Sequence, residues 1–366
     1  MTQRRVPAVY MRGGTSRCLV FHDRDLPPAG RARDAILLAA LGSPDPNGRQ
    51  LDGLGGGISS LSKAVIIGPT TMPGADVDYT FAQVDVRTPE VDYTGNCGNC
   101  SSAVGPFAIE EHLVHAHEGE TIVRIHNTNT KKLIVARVPV QGGEPSAAGD
   151  FELPGVAGRG ARIALDFVEP GGAGTGRLLP TGRPRDTVEG VEASLVDASI
   201  PMVFVRARDL GLTGTEAPTA MDADRALAAR LESIRVAAAK LMGIPGSAAT
   251  PKVAVVTAPV AFAALDGARY AAGDADVVGR AISMGNCHRA FPLTSSMCLA
   301  VAARIEGSLV HECSSAEPGA DVRLGHPSGM LPLDAAVTRL GGDYHAERVT
   351  VYRTARRLME GWIRIP

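Results

Sequence analysis

The sequence predicts a strand-rich α+β protein made of two similar halves, and three observations carry that expectation. Its 366 residues include 42 glycines and 25 prolines but only 4% aromatics, a balance that favours short strands joined by turns over a helical bundle. The chain is long for one core and comfortable for two. Two segments of the first half recur, in order, in the second. CLVFHDRDLPP (residues 18–28) aligns without a gap with MVFVRARDLGL (202–212), and NCGNCSSAVGPFAIEEHLV from Asn96 aligns with LTSSMCLAVAARIEGSLV from Leu293, Val104 matching Val301. Two repeats in one order suggest a duplicated domain. The expected halves are residues 1–185 and 186–366, with the last strand free to return to the first half.

Along the chain, KAVII (63–67), TIVRI (121–125), KLIVARV (132–138), ARIALDF (161–167) and KVAVV (252–256) have strand length and β-branched content. Apolar spacing and capping residues predict helices over 31–41, 101–114, 220–242 and 295–304, with a short terminal one over 353–360. The Gly/Pro-rich stretch 142–160 and the segment 169–185 read as surface connections, the second a boundary region.

Charge and composition exclude several classes. Hydrophobic residues make up 45%, charged residues 21%, and the formal net charge is −2 without a long basic run, so the footprint of a nucleic-acid binder is missing. The basic N-terminus MTQRRVPAVYMRGG lacks the apolar stretch of a signal peptide, and no run approaches the ~20 apolar residues of a membrane span. The expected location is the cytoplasm. Six cysteines (Cys18, Cys97, Cys100, Cys287, Cys298, Cys313) are too sparse for a disulfide scaffold and are expected as thiols.

YTGNCGNCSSAVGP (93–106) crowds Gly, Asn and Cys just before an apolar helical run. A loop entering a helix presents unpaired N–H groups and partial positive charge, which suits a carboxylate and is expected to lower a thiol pKa at Cys97. The plainer readings are a structural turn with inert thiols, half of a zinc site, or a redox pair from Cys97 and Cys100. No second close Cys/His pair supports zinc, because Cys287 and His288 are adjacent, and no metal is expected. In the second half Thr294, Ser295 and Ser296 stand at the matching helix start, where hydroxyls cap and bind anions. If the halves face each other, two helix N-termini converge on a cleft that suits a substrate with two or three carboxylates; ordinary N-caps explain the same serines.

Lys63 follows the run 53–62, GLGGGISSLS, and opens an apolar strand. Most lysines at strand entries are simply exposed, whereas burial beside apolar walls would favour the neutral amine that a general base requires. The turns Arg12-Gly-Gly-Thr-Ser16 and Gly325-His-Pro-Ser-Gly329 are further candidates, or only tight turns. The glycines form neither G-x-G-x-x-G after a strand nor a P-loop, so no nucleotide motif is present.

Seven motifs in order then resemble the PrpF family nearly end to end: MRGGTS (11–16), SK (62–63), GNCGN (95–99), SAVGPFA (102–108), LLPTG (178–182), GHPSG (325–329) and RTARRLMEG (353–361). This family includes 2-methylaconitate cis-trans isomerase, 3-methylitaconate isomerase and 4-oxalomesaconate tautomerase, and shares the diaminopimelate epimerase fold. The resemblance implies two similar domains, each a mostly antiparallel sheet curled around a central helix, with the site between them. It also implies a cofactor-independent isomerase or tautomerase that shifts a proton and double bond in a small unsaturated di- or tricarboxylate. Lys63 matches the family's proton-abstracting lysine, and Cys97 the cysteine across the site, a proton donor or anion binder. Thr15, Ser16, Asn96, Gly98, Asn99, His288, Thr294, Ser295, Ser296, Ser328 and Gly329 are the expected substrate-binding residues. No cofactor is expected, and a homodimer is open to the chain. The sequence departs from the usual GGTSKG at Arg17 and Cys18, from the usual T-G-[AS] at Thr294-Ser295-Ser296, and at Cys100. The rival enzyme reading is a racemase or epimerase of the same fold, which uses two cysteines; here Thr294 matches Cys97. A thiol redox or zinc module is the reading from another class.

Overall fold

A computed structural model describes residues 3–247 and 250–366 of the chain. They form two compact units: the chain up to Phe167 together with Tyr352–Pro366, and Val168–Val351.

The first unit is one sheet built from β1 (Arg4–Gly13), β2 (Ser16–His22), β3 (Lys63–Pro69), β4 (Val77–Val84), β5 (Gly119–Asn127), β6 (Lys132–Gln141), β7 (Ile163–Val168) and the C-terminal strand Ala355–Ile365. β1 pairs antiparallel with β2 and with the C-terminal strand. From β2 the order continues through β3 (parallel), β4 (antiparallel), β5 (parallel), β6 and β7 (both antiparallel). Two helices cover its faces, α1 (Arg31–Leu41) and α2 (Gly98–Glu110). Because strand side chains alternate, Leu19, Phe21, Ala64, Ile66, Ala82 and Val84 pack with Ile36, Leu37, Ala40 and Leu41 of α1. The opposite face curls around α2, which touches β1, β2, β4, β5, β6 and the C-terminal strand. All residues of α2 from Cys100 to Ile109 are buried, as expected of a helix that is apolar all round.

The second unit repeats this plan. Its strands are β8 (Val191–Asp197), β9 (Pro201–Arg206), β10 (Lys252–Thr257), β11 (Val277–Ser283), β12 (Val322–His326), β13 (Gly329–Leu340) and β14 (Asp343–Arg353). The pairing sense from β8 onward is antiparallel, parallel, antiparallel, parallel, antiparallel, antiparallel, the same series as from β1 to β7. The preceding short helix α3 (Pro218–Ala223) and α4 (Arg225–Leu241) lie between β9 and β10, where α1 lies between β2 and β3. α5 (Leu293–Ala302) lies between β11 and β12 and touches β8, β9 and β13. The aligned segments 18–28 and 202–212 each become a strand followed by one 3₁₀ turn. The sequence repeat is therefore a repeat of topology.

Two local expectations are corrected. The helix over 220–242 is two helices, because Asp224 leaves helical geometry and its carboxylate accepts from the Leu227 N–H at 2.9 Å, starting α4 anew. The helix over 353–360 is strand: residues from Ala355 to Ile365 pair with β1 along its whole length, and this ladder overrides the helix propensity of RTARRLME. Among the described residues no helix is long and apolar enough to cross a membrane.

Candidate active site

The chemistry of the first unit gathers at the start of α2. Cys97 is the N-cap, in extended geometry, and its Sγ accepts from the Cys100 N–H at 3.4 Å. A sulfur acceptor here replaces the oxygen of the usual Ser, Thr or Asp cap. The next carbonyl contacts fix the turn: Cys97 O accepts from Tyr79 Oη at 3.3 Å and from Ser101 Oγ at 3.0 Å.

Gly13 and Gly14 of the MRGGTS turn let β1 and β2 press on this helix end. A Cβ on Gly13 would lie 2.6 Å from Asn99 O, and one on Gly14, which has φ +53°, would lie 2.3 Å from Asn99 Oδ1. Only glycine tolerates both the contact and the left-handed backbone. In return Asn99 is locked: its Nδ2 donates to Thr15 Oγ1 at 3.1 Å and its Oδ1 accepts from Arg353 Nε at 3.0 Å. Ser16 is buried at the first position of β2. Asn96 Oδ1 accepts from Asn127 Nδ2 at 2.9 Å, which ties the loop before α2 to β5. Gly98 is the first helical residue.

Lys63 is buried at the first position of β3 and lies over the Phe81 ring, its Nζ 4.9 Å from the centroid. Register pairs it with Gln83, whose Oε1 accepts from Nζ while its Nε2 donates to Ser62 O at 2.9 Å and Ser59 O at 3.2 Å. Gln83 thus holds the amine in place. Lys63 acts electrostatically on both Cys97 and Cys100, lowering each thiol pKa by its charge.

That effect is outweighed. The Cys97 thiol is pushed well above its ordinary value, first by its hydrogen bond with the Cys100 thiol and then by burial, with Lys63 and the Cys100 N–H acting in opposition. The expected lowering of this pKa by the helix start is overturned, because a neighbouring thiol and loss of solvent cost the thiolate more than the helix start returns. Cys100 itself is raised by burial and by the Cys18 thiol. Two departures from the usual family pattern, Cys18 and Cys100, therefore meet at one point.

The candidates of the second unit fall in two places. Thr294, Ser295 and Ser296 lie in the first turn of α5, but the N-cap is Pro292 and no side chain caps the helix. The expected hydroxyl cap is corrected: the helix begins at Leu293, so Ser296 Oγ turns back to Leu293 O at 2.8 Å, and the buried Ser295 Oγ has no hydrogen-bond partner among the described residues. The other place is the turn before β13. Ser328 Oγ donates to Arg289 O at 2.5 Å, joining this turn to the loop that carries the exposed His288, whose Nδ1 accepts from the Ala290 N–H at 3.1 Å. Gly329 has φ +121° and faces Tyr270 Oη. Cys298, the other helix cysteine, is buried three residues beyond Ser295 and donates to Val196 O at 3.4 Å.

Sequence reading missed Gln83, whose function depends on register alone, and Arg353, which opens a quoted motif yet was not singled out. Arg353 is 6% exposed, and burial pulls its guanidinium down to about 10, still cationic at neutral pH.

Residues 3–366 match the family model described as PrpF protein. The chain belongs to the PrpF family. It is 42% identical to a 2-methyl-aconitate isomerase of Cupriavidus necator, over all of this chain and 98% of the relative. It is 40% identical to a 4-oxalomesaconate tautomerase of Pseudomonas putida, over 99% of this chain and 96% of the relative. The crystal structure of a methylitaconate-delta-isomerase superposes with a TM-score of 0.93 at 40% identity, covering 100% of this chain and 96% of that one. This member of the family is accordingly an isomerase with a diaminopimelate epimerase-like fold.

Proposed function

We propose that this PrpF protein moves a proton, and with it a double bond, within a small unsaturated di- or tricarboxylate of the methylaconitate, oxalomesaconate or aconitate type. The observation that carries the reading is a buried amine, Lys63, within electrostatic reach of a protonated thiol, Cys97, at a helix start. Names of relatives at about 40% identity support the substrate class.

A carbon-bound proton α or γ to a carboxylate is weakly acidic, and its removal leaves an enolate or dienolate whose charge needs stabilising. Lys63 takes the proton on its neutral amine and becomes the ammonium ion. The N–H groups at the start of α2 stabilise the developing anion. Return of a proton at another position completes the shift, from Lys63 or from the Cys97 thiol, whose raised pKa keeps its proton available near neutrality. Proton removal and return leave the oxidation state unchanged, so the step calls for no cofactor. The two-cysteine epimerase reading is not favoured, because Thr294 matches Cys97 in the sequence alignment, Pro292 takes the N-cap position in α5, and Cys298 is bonded inward to Val196. The six free thiols suit a reducing compartment, which supports the cytoplasm as the location.

The test is a panel of methylaconitate, methylitaconate, oxalomesaconate and aconitate incubated with the enzyme in D₂O and followed by NMR. Isomerisation of at least one acid is expected, with deuterium entering where solvent protons exchange. Inertness toward all four, with exchange into an amino acid instead, would return the epimerase reading.

A further inference from the structure

A buried arginine beside the proposed proton-transfer pair has no counter-ion. In the first unit the buried Arg33 donates to Asp23 at 2.7 Å, and the half-buried Arg357 reaches Glu110, Glu111 and Glu360. Arg353 differs. Its Nε donates to the Asn99 side chain and its Nη1 to Tyr352 O at 2.7 Å, while Nη2 has no acceptor and no carboxylate pairs with it among the described residues. No carboxylate acts on it electrostatically among the described residues, and the nearby Cys97 does so only when it is a thiolate.

A guanidinium withdrawn from water and left unpaired is destabilising, and such a charge persists where something that binds there supplies its partner. Asn99 holds Nε and Tyr352 holds Nη1, so the plane of the guanidinium and the direction of Nη2 are fixed before any ligand arrives. Asn99 can hold it because Thr15 takes the amide nitrogen, leaving Oδ1 for Nε. Gly14 leaves room for both, since a Cβ there would also lie 3.1 Å from Arg353 Cδ. At the helix start that carries Asn99, the N–H groups of Gly98 and Asn99, the first two of α2, have no acceptor among the described residues, whereas those of Cys100 and Ser101 turn to Cys97. Oriented N–H donors and a planar cation form a receptor for a carboxylate.

We propose that Arg353, with the first N–H groups of α2, binds one carboxylate of the substrate and so orients the proton to be removed toward Lys63. This rests on the polycarboxylate reading above. Arg353 is a binding and positioning residue, and Asn99, Thr15 and Gly14 serve by aiming it. The step it supports involves no bond change at the arginine.

The test compares wild type with Arg353→Met and Arg353→Lys, using aconitate as the probe in calorimetric binding and the acid that is turned over in kinetics. Arg353→Met is expected to weaken binding and raise KM about 100-fold or more. Arg353→Lys, which keeps the charge but not the fork, is expected to lose about 10-fold. Thermal unfolding should be unchanged or raised, since a buried unpaired charge has been removed. A merely structural arginine would give a lower Tm with unaltered KM, and that result overturns the proposal. Should Arg353→Met not fold, an unaltered KM in folded Arg353→Lys overturns it equally. Failure of the wild type to bind or turn over any of the acids would instead remove the polycarboxylate reading, and this proposal with it.

Discussion

The starts of α2 and α5 occupy the same point in two copies of one topology, and they are chemically unlike. At the first, a thiol caps the helix, a buried amine acts on it electrostatically and a buried guanidinium lies beside it. At the second, a proline precedes the helix, and the three residues that follow Leu293 carry neutral hydroxyls, one of them turned back into its own helix. The pairing series of the strands and the insertion points of the helices are shared. Duplication has thus preserved the scaffold while ionisable chemistry is concentrated at one helix start.

The largest expected effect breaks the comparison at its charged side. Lys63→Met should lower deuterium exchange and isomerisation by about 10³-fold or more, with circular dichroism unchanged. Turnover close to wild type would take the proposed base away and leave the two helix starts functionally alike.

Gly14→Ala should come next. The methyl would have to displace the Asn99 amide and hold φ at +53°, at a cost of about 1–3 kcal/mol in denaturant unfolding, with KM raised because Arg353 loses its anchor. A variant as stable as wild type, with the same KM, would mean that this turn does not aim the site.

Cys97→Ser should lose about 10-fold in rate, at or below the low end of acid–base contributions. The same thiol offers a pH test of definite sign. With its pKa raised well above the ordinary thiol value, the neutral form dominates at pH 7, so alkylation of Cys97 by iodoacetamide should be slow there and accelerate only in strongly alkaline solution. Rapid alkylation at pH 7 would mean an ionised thiol and remove its proposed part as donor.

The smallest effect is expected at the other helix start. Ser295→Ala removes a buried hydroxyl without a partner, so stability should change by less than about 1 kcal/mol, in the stabilising direction. If KM rises at constant stability, the hydroxyl meets the substrate and the second helix start joins in binding. Unaltered KM would confine carboxylate recognition to other groups.

Local chemistry made much of this legible beforehand. β-branched runs such as KAVII and KLIVARV form strands wherever a partner is present, and the apolar run after GNCGNC buries itself as α2 because it has no polar face to expose. The terminal segment 353–360 was misread because its helix propensity is local, while its ladder with β1 joins residues about 350 apart in the chain. The expected direction of the Cys97 shift fails for a similar reason: a helix start is visible in sequence, but the hydrogen bond between the Cys97 and Cys100 thiols and the burial of that pair are not.

By itself, the sequence determined the family, the duplicated α+β plan, and the two residues, Lys63 and Cys97, on which the chemical proposal turns, because motifs and periodicity are properties of neighbours along the chain. Tertiary structure decided that Gln83 holds Lys63 through strand register, that the Cys100 thiol and burial push the Cys97 pKa up, and that Arg353 is buried without a counter-ion among the described residues. Electrostatics and desolvation depend on what is near in space, and no spacing along the chain encodes that.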